Sequence, residues 1–153
     1  MMTRGTGWVT RDGDRWSYHL ARILKSPNTW QGRHWRVKDR DTREWQVALA
    51  WAVWLSSCHG EPPPQATGRV RVTVTRFVPT RRHFIRDEDN LRFCTKPLND
   101  ALTRLGWIRD DSRRWLEQPL PSQRVSVDHR HWTVVTIEPI AGVEAMAEKG
   151  GRG

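Results

Sequence analysis

Cysteine is almost absent from this sequence: Cys58 and Cys94 are the only two in 153 residues, too few for a disulfide framework. The chain must hold together by packing, and its length is enough for one domain that buries roughly two thirds of the surface its unfolded form exposes. Long apolar runs are missing as well. The most apolar stretch, around Trp45 to Leu55, is interrupted and far short of the roughly 20 residues of a membrane span, so no membrane association is expected. No charged-then-apolar leader opens the chain, because Met1 to Gly13 is polar and glycine-bearing, and a cytoplasmic protein in a reducing setting is expected. Three chemical signatures are lacking. Without a Gly-Lys-Ser or Gly-Lys-Thr loop there is no support for a nucleotide cofactor, and without a nucleophile elbow none for acyl transfer. Without Cys-x-x-Cys or His-x-x-x-His spacing, Cys58, His59, His129 and His131 do not make a zinc site.

Lysine is scarce too, at 4 against 22 Arg, although the net charge is +9 and the pI about 10.9. Guanidinium groups stay charged and grip phosphate oxygens with two hydrogen bonds, so nucleic acid is the leading partner class. Charge of this kind names a partner and not a fold or a reaction.

Coarse patterning predicts an α+β fold, a small antiparallel or mixed sheet packed on two main helices. Asp12-Gly13 between Trp8 and Tyr18 suits the turn of a type I′ hairpin. Ser26-Pro27-Asn28-Thr29 has turn chemistry, and residues 31–38 read as a loop bearing Arg33, His34, Trp35, Arg36 and Lys38. Asp41 and Glu44 form a capping-box-like pair ahead of a helix running to Gly60, with Trp45, Trp51 and Trp54 as core. Glu61-Pro62-Pro63-Pro64 stops that helix. Val70, Val72 and Val74 alternate with Arg69, Arg71 and Thr73, a strand with one buried and one basic wet face. Asn90 to Gly106 reads as helical, with Pro97 either starting the regular helix near Thr95 or kinking a longer one. Residues 123–128 and 132–139 read as a closing hairpin. Residues 1–140 are then one domain, with 1–23 as an added hairpin and 141–153 as a disordered tail.

Within this basic chain, six of seventeen acidic residues fall between Asp87 and Asp111: Asp87, Glu88, Asp89, Asp100, Asp110 and Asp111. A compact group of carboxylates in a basic protein is the usual dress of a hard divalent cation. If Asp87 and Asp89 end an extended segment, their Cα atoms are roughly 7 Å apart and both side chains face one way, with Glu88 pointing opposite. Asp110 and Asp111, after the following helix, could return to the same spot. Such an open oxygen site activates water and stabilises a leaving 3′ oxygen in phosphodiester hydrolysis. Lys96 is the natural cationic partner for charge developing on the phosphate. Arg81, Arg82 and Arg86, directly ahead of the acids, together with Arg33 and Lys38, are candidates for phosphate binding.

Arg86-Asp87-Glu88-Asp89-Asn90-Leu91, then Lys96-Pro97-Leu98-Asn99-Asp100-Ala101-Leu102, then Gly106-Trp107-Ile108-Arg109-Asp110-Asp111 occur in the order typical of one family. On these motifs the chain resembles the RusA-type Holliday junction resolvases, small phage- and prophage-associated endodeoxyribonucleases. Ser26-Pro27-Asn28 and His34-Trp35 extend the likeness loosely, from about Leu24 to Pro139. The resemblance implies a homodimer, in a bacterial or phage-infected cell, that binds four-way DNA junctions and makes paired symmetric cuts with Mg²⁺ or Mn²⁺ during recombination and repair. It also implies Asp87, Asp89 and Asp111 as metal ligands and Lys96 as the catalytic lysine; Asp100 matches an aspartate of the family helix, and Asp110 and Asp100 are candidates to support the ligands from behind. The chain is longer between Asp89 and Asp100 than that family's pattern, and its first twenty residues have no counterpart there.

Overall fold

The computed structural model describes residues 7–29, 32, 35–56 and 67–140, and within them the fold is α+β: a six-stranded mixed sheet with helices packed on one face. Strands β1 (Gly7–Asp12) and β2 (Arg15–Leu20) form an antiparallel hairpin. Asp12 pairs with Arg15, so the turn is Gly13-Asp14, one residue later than expected. Gly13 has φ 58°, while Asp14 has no positive φ. A positive φ at the first turn position alone is the pattern of type II′, not of type I′.

The hairpin is no appendage. β2 pairs antiparallel with β6 (Trp132–Pro139), and Val9, Trp16, Tyr18 and Leu20 enter the core. β6 pairs antiparallel with β3 (Val70–Val78), whose other edge is shared by β4 (Leu116–Glu117) and β5 (Ser122–Val125), both parallel to it. The expected closing hairpin is therefore overturned: β5 and β6 flank β3 and do not pair with each other. Ser126, Asp128 and a positive φ at His129 shape the turn between them, Ser126 Oγ accepting the Arg130 N–H at 2.8 Å.

Helix α1 (Trp35–Leu55) begins six residues before the expected cap, so Trp35 to Lys38 are helical and not loop. Asp41 and Glu44 do not cap it. Both accept hydrogen bonds from Arg22, at 2.5 and 2.6 Å, and the Arg22 guanidinium lies over the Trp45 ring. The helix buries Thr42, Trp45, Leu49 and Ala52, a stripe at spacings of three and four. Trp51 and Trp54, expected in the core, are 41% and 72% exposed and stack edge to face on each other. Residues 57–60 and the proline run fall outside the described residues, as do the tail 141–153 and Arg33.

The period of two in β3 and β6 sends Val70, Val72, Val74, Val135 and Ile137 toward α1 and α3 (Lys96–Arg104), where Leu98, Ala101 and Leu102 close the core. Each of the buried valine, leucine and isoleucine side chains contributes about 1.5 to 3 kcal/mol relative to leaving it in water. Cys94 is buried among them, and that burial pushes its thiol up to about 11. Among the described residues no helix is long and apolar enough to cross a membrane.

Candidate functional site

The acidic stretch folds as two short helices. α2 (Glu88–Phe93) and α3 are separated at Cys94-Thr95, and Pro97 sits in the first turn of α3, where its missing N–H costs nothing. A left-handed Gly106 (φ 75°) ends the run, with the Trp107 N–H donating to Leu102 O at 3.0 Å. Of the two expectations for Pro97, the helix start is the one realised.

Asp87 is the N-cap of α2, its Oδ1 accepting the Asn90 N–H at 2.8 Å. Asp89 lies in the first helical turn, so the extended geometry expected for Asp87 and Asp89 does not form: only Asp87 has extended backbone. Glu88 is helical too and pairs with Arg92 at 3.0 Å. The two aspartates instead place carboxylates at the positive end of a helix.

Lys96 is where the structure concentrates charge. Its Nζ lies 2.5 Å from Asp111 Oδ2 and 2.9 Å from Asp100 Oδ1, and Lys38 reaches Asp100 at 4.0 Å. A cation in the first turn of a helix opposes the helix dipole, a local cost that Asp100 and Asp111 offset. Conflicts of that kind cluster at functional sites. Burial alone would lower the Lys96 pKa, but the hydrogen bonds and charges of Asp111 and Asp100 outweigh it and hold the pKa above its ordinary value. The hydrogen bond from Lys96 is the chief cause that holds Asp111 below the usual carboxylate range. At neutral pH the pair is therefore ammonium and carboxylate, suited to electrostatic work rather than to proton shuttling. Asp110 bonds the Ser112 N–H at 2.7 Å and shapes the loop.

Asp87, Asp89 and Asp111 do not come together as one nest: among the described residues no three His, Cys, Asp or Glu side chains are grouped to hold a metal ion. The donor chemistry is that of a hard cation, yet the Asp111 Oδ2 is taken by Lys96 and the Asp87 Oδ1 by the Asn90 N–H. As placed, these residues do not fit a three-carboxylate site, and divalent-cation dependence is a quantity to be measured.

Two polar devices that the motifs did not indicate position this region. Arg76 stands on the buried phase of β3, 6% exposed, and donates to Leu24 O (2.8 Å), His83 O (2.7 Å) and Gln123 Oε1 (3.0 Å). Gln123 in turn clasps the N–H and C=O of Ile85, both at 2.9 Å. Together they fix the backbone two residues ahead of Asp87. Its place in the alternation Val70, Val72, Val74, Arg76, Val78 is the signal that could have revealed Arg76. Asn99 and Gln118 exchange amide hydrogen bonds at 2.8 and 3.0 Å and tie α3 to the segment after β4. No spacing rule announces that pair.

Arg81 and Arg82, in a short 3-10 turn, and Arg86 are exposed and have no acidic partner among the described residues. Lys38, by contrast, leans on Asp100. Compared with known proteins, the chain matches no family model, and no curated protein matches it.

Proposed function

We propose that this protein is a structure-selective endodeoxyribonuclease that resolves four-way DNA junctions by paired cleavage of opposing strands, acting as a homodimer. The observation that carries the reading is the Lys96–Asp111 ion pair, exposed to solvent and neighboured in sequence by arginines without carboxylate partners. The ordered motifs that resemble the RusA-type resolvases supply the substrate class. In this reading Arg81, Arg82 and Arg86 bind backbone phosphates. Lys96 opposes negative charge on the scissile phosphate, and Asp111 and Asp100 hold its ammonium in place. Asp87 and Asp89 are exposed and follow Arg86 directly in sequence.

Labelled four-way, forked and linear DNA incubated with the protein, with and without Mg²⁺, tests the proposal. Paired symmetric nicks confined to the junction and dependent on the cation are expected. A second reading, a DNA-binding protein without catalytic activity, is favoured by the separation of Asp87 and Asp89 from Asp111. Junction binding with no nicks at any Mg²⁺ or Mn²⁺ concentration would establish that reading instead, and cuts on forks or flaps alone would redirect the substrate.

A further inference from the structure

The loop that carries Asp110 and Asp111 is pinned at both ends. Trp107 and Ile108 are buried before it, and Leu116 is buried after it in β4. Within it the Trp115 and Leu116 N–H groups donate to Ser112 O at 3.0 and 2.9 Å, and Trp115 O accepts the Val70 N–H at 3.0 Å. Three arginines, Arg109, Arg113 and Arg114, project from this short segment and all are exposed. The guanidinium carbons of Arg109 and Arg114 lie 4.1 and 5.0 Å from the centroid of the one Trp115 ring.

That arrangement gathers like charges. Two acids stand beside the arginines, yet neither neutralises them: Asp110 bonds the backbone and Asp111 bonds Lys96. Among the described residues none of the three arginines has an acidic partner, whereas Arg15, Arg22, Arg43, Arg71, Arg92 and Arg104 all do. A guanidinium stacked on a ring keeps its N–H edge free and loses less freedom when it binds, so Trp115 orders two phosphate forks before any ligand arrives. Three exposed cations along one loop, two of them held on a ring, suit a polymer of phosphates better than a small anion.

We propose that Arg109, Arg113 and Arg114, with two of them ordered on Trp115, grip the sugar–phosphate backbone of a DNA strand beside Asp111. This inference rests on the junction-binding reading above and extends it, because it sets a phosphate grip on the far side of the acidic stretch from Arg81, Arg82 and Arg86.

Fluorescence anisotropy of a labelled four-way junction, titrated at several NaCl concentrations, tests it. Each phosphate contact adds about 0.9 to the slope of log K against log salt, so the exposed double variant Arg109→Gln/Arg114→Gln should lower the slope by about 1.8. Arg43→Gln, on α1 and paired with Asp39, should leave the slope unchanged. Trp115→Leu, checked for folding by circular dichroism, keeps both charges; it should weaken binding several-fold and change the slope little. A double variant with the wild-type slope overturns the grip while the junction reading stands. A wild-type protein that binds no junction overturns both, and full affinity in Trp115→Leu removes the ordering role of the ring.

Discussion

Arginine does opposite work in two regions of this protein. Around α1, and on the sheet face turned away from it, guanidinium groups are spent on the fold: Arg22 joins Asp41 and Glu44, Arg104 and Arg43 share Asp39, and Arg15 and Arg71 reach Glu138. Around the acidic stretch, Arg81, Arg82, Arg86, Arg109, Arg113 and Arg114 have no acid among the described residues, although six acids lie nearby in sequence. Residue type alone does not separate structural from ligand-binding cations. What separates them in the structure is whether a carboxylate lies within ion-pair distance.

The largest stability contrast lies within α1. Trp45→Ala should cost about 3 to 5 kcal/mol, whereas Trp54→Ala on the solvent face should cost less than about 0.5 kcal/mol, measured by urea unfolding. A large loss in Trp54→Ala would mean that another surface covers that face. Next comes Arg76→Met, which strands the carbonyls of Leu24 and His83 and should destabilise by about 3 kcal/mol. Gln123→Leu should also loosen the segment at Ile85, seen as faster amide exchange there. Arg22→Gln leaves Asp41 half-shielded without its cation and should cost about 2 kcal/mol, while Arg82→Gln should leave stability within about 0.5 kcal/mol and weaken DNA binding. If Arg82→Gln lowered the melting temperature as much as Arg22→Gln, the distinction between the two regions would fail.

The smallest effect concerns pH. Burial, and then the charges of His83 and Arg76, hold the His131 pKa below its ordinary value. The folded protein thus binds that proton less readily than the unfolded chain. Stability is kept above the ordinary histidine pKa and is lost as pH falls below it toward the lowered value. Between about pH 7.5 and about pH 5.5 the wild-type melting temperature should fall, and His131→Gln should fall less.

Much of the fold was legible where residues answer to local rules. The valines of β3 alternate because one face is buried, and Gly106 ends α3 because it adopts a left-handed conformation. The partners of β5 were not legible. Its pairing with β3 spans more than forty residues, and nothing within residues 122–125 distinguishes that edge from a hairpin with β6. Asp41 and Glu44 misled for a related reason: their partner, Arg22, lies about twenty residues upstream, and a capping pair looks the same as an ion-pairing one. In the site, Lys96 reads as a cation for the phosphate and Asp111 as a metal ligand, and the ion pairs that join the Lys96 Nζ to Asp111 and Asp100 were not legible in the motifs. The co-facing of Asp87 and Asp89 failed because Asp87 caps a helix that Asp89 has already entered.

The most direct test of the central claim compares Asp111→Asn with the wild type on a labelled four-way junction, scoring binding and cleavage in the same samples. The variant, with Lys96 released from a negative partner, should bind as tightly as the wild type or more tightly, and its cleavage should fall by about 100-fold or more. A variant that cuts the junction at the wild-type rate would contradict that claim.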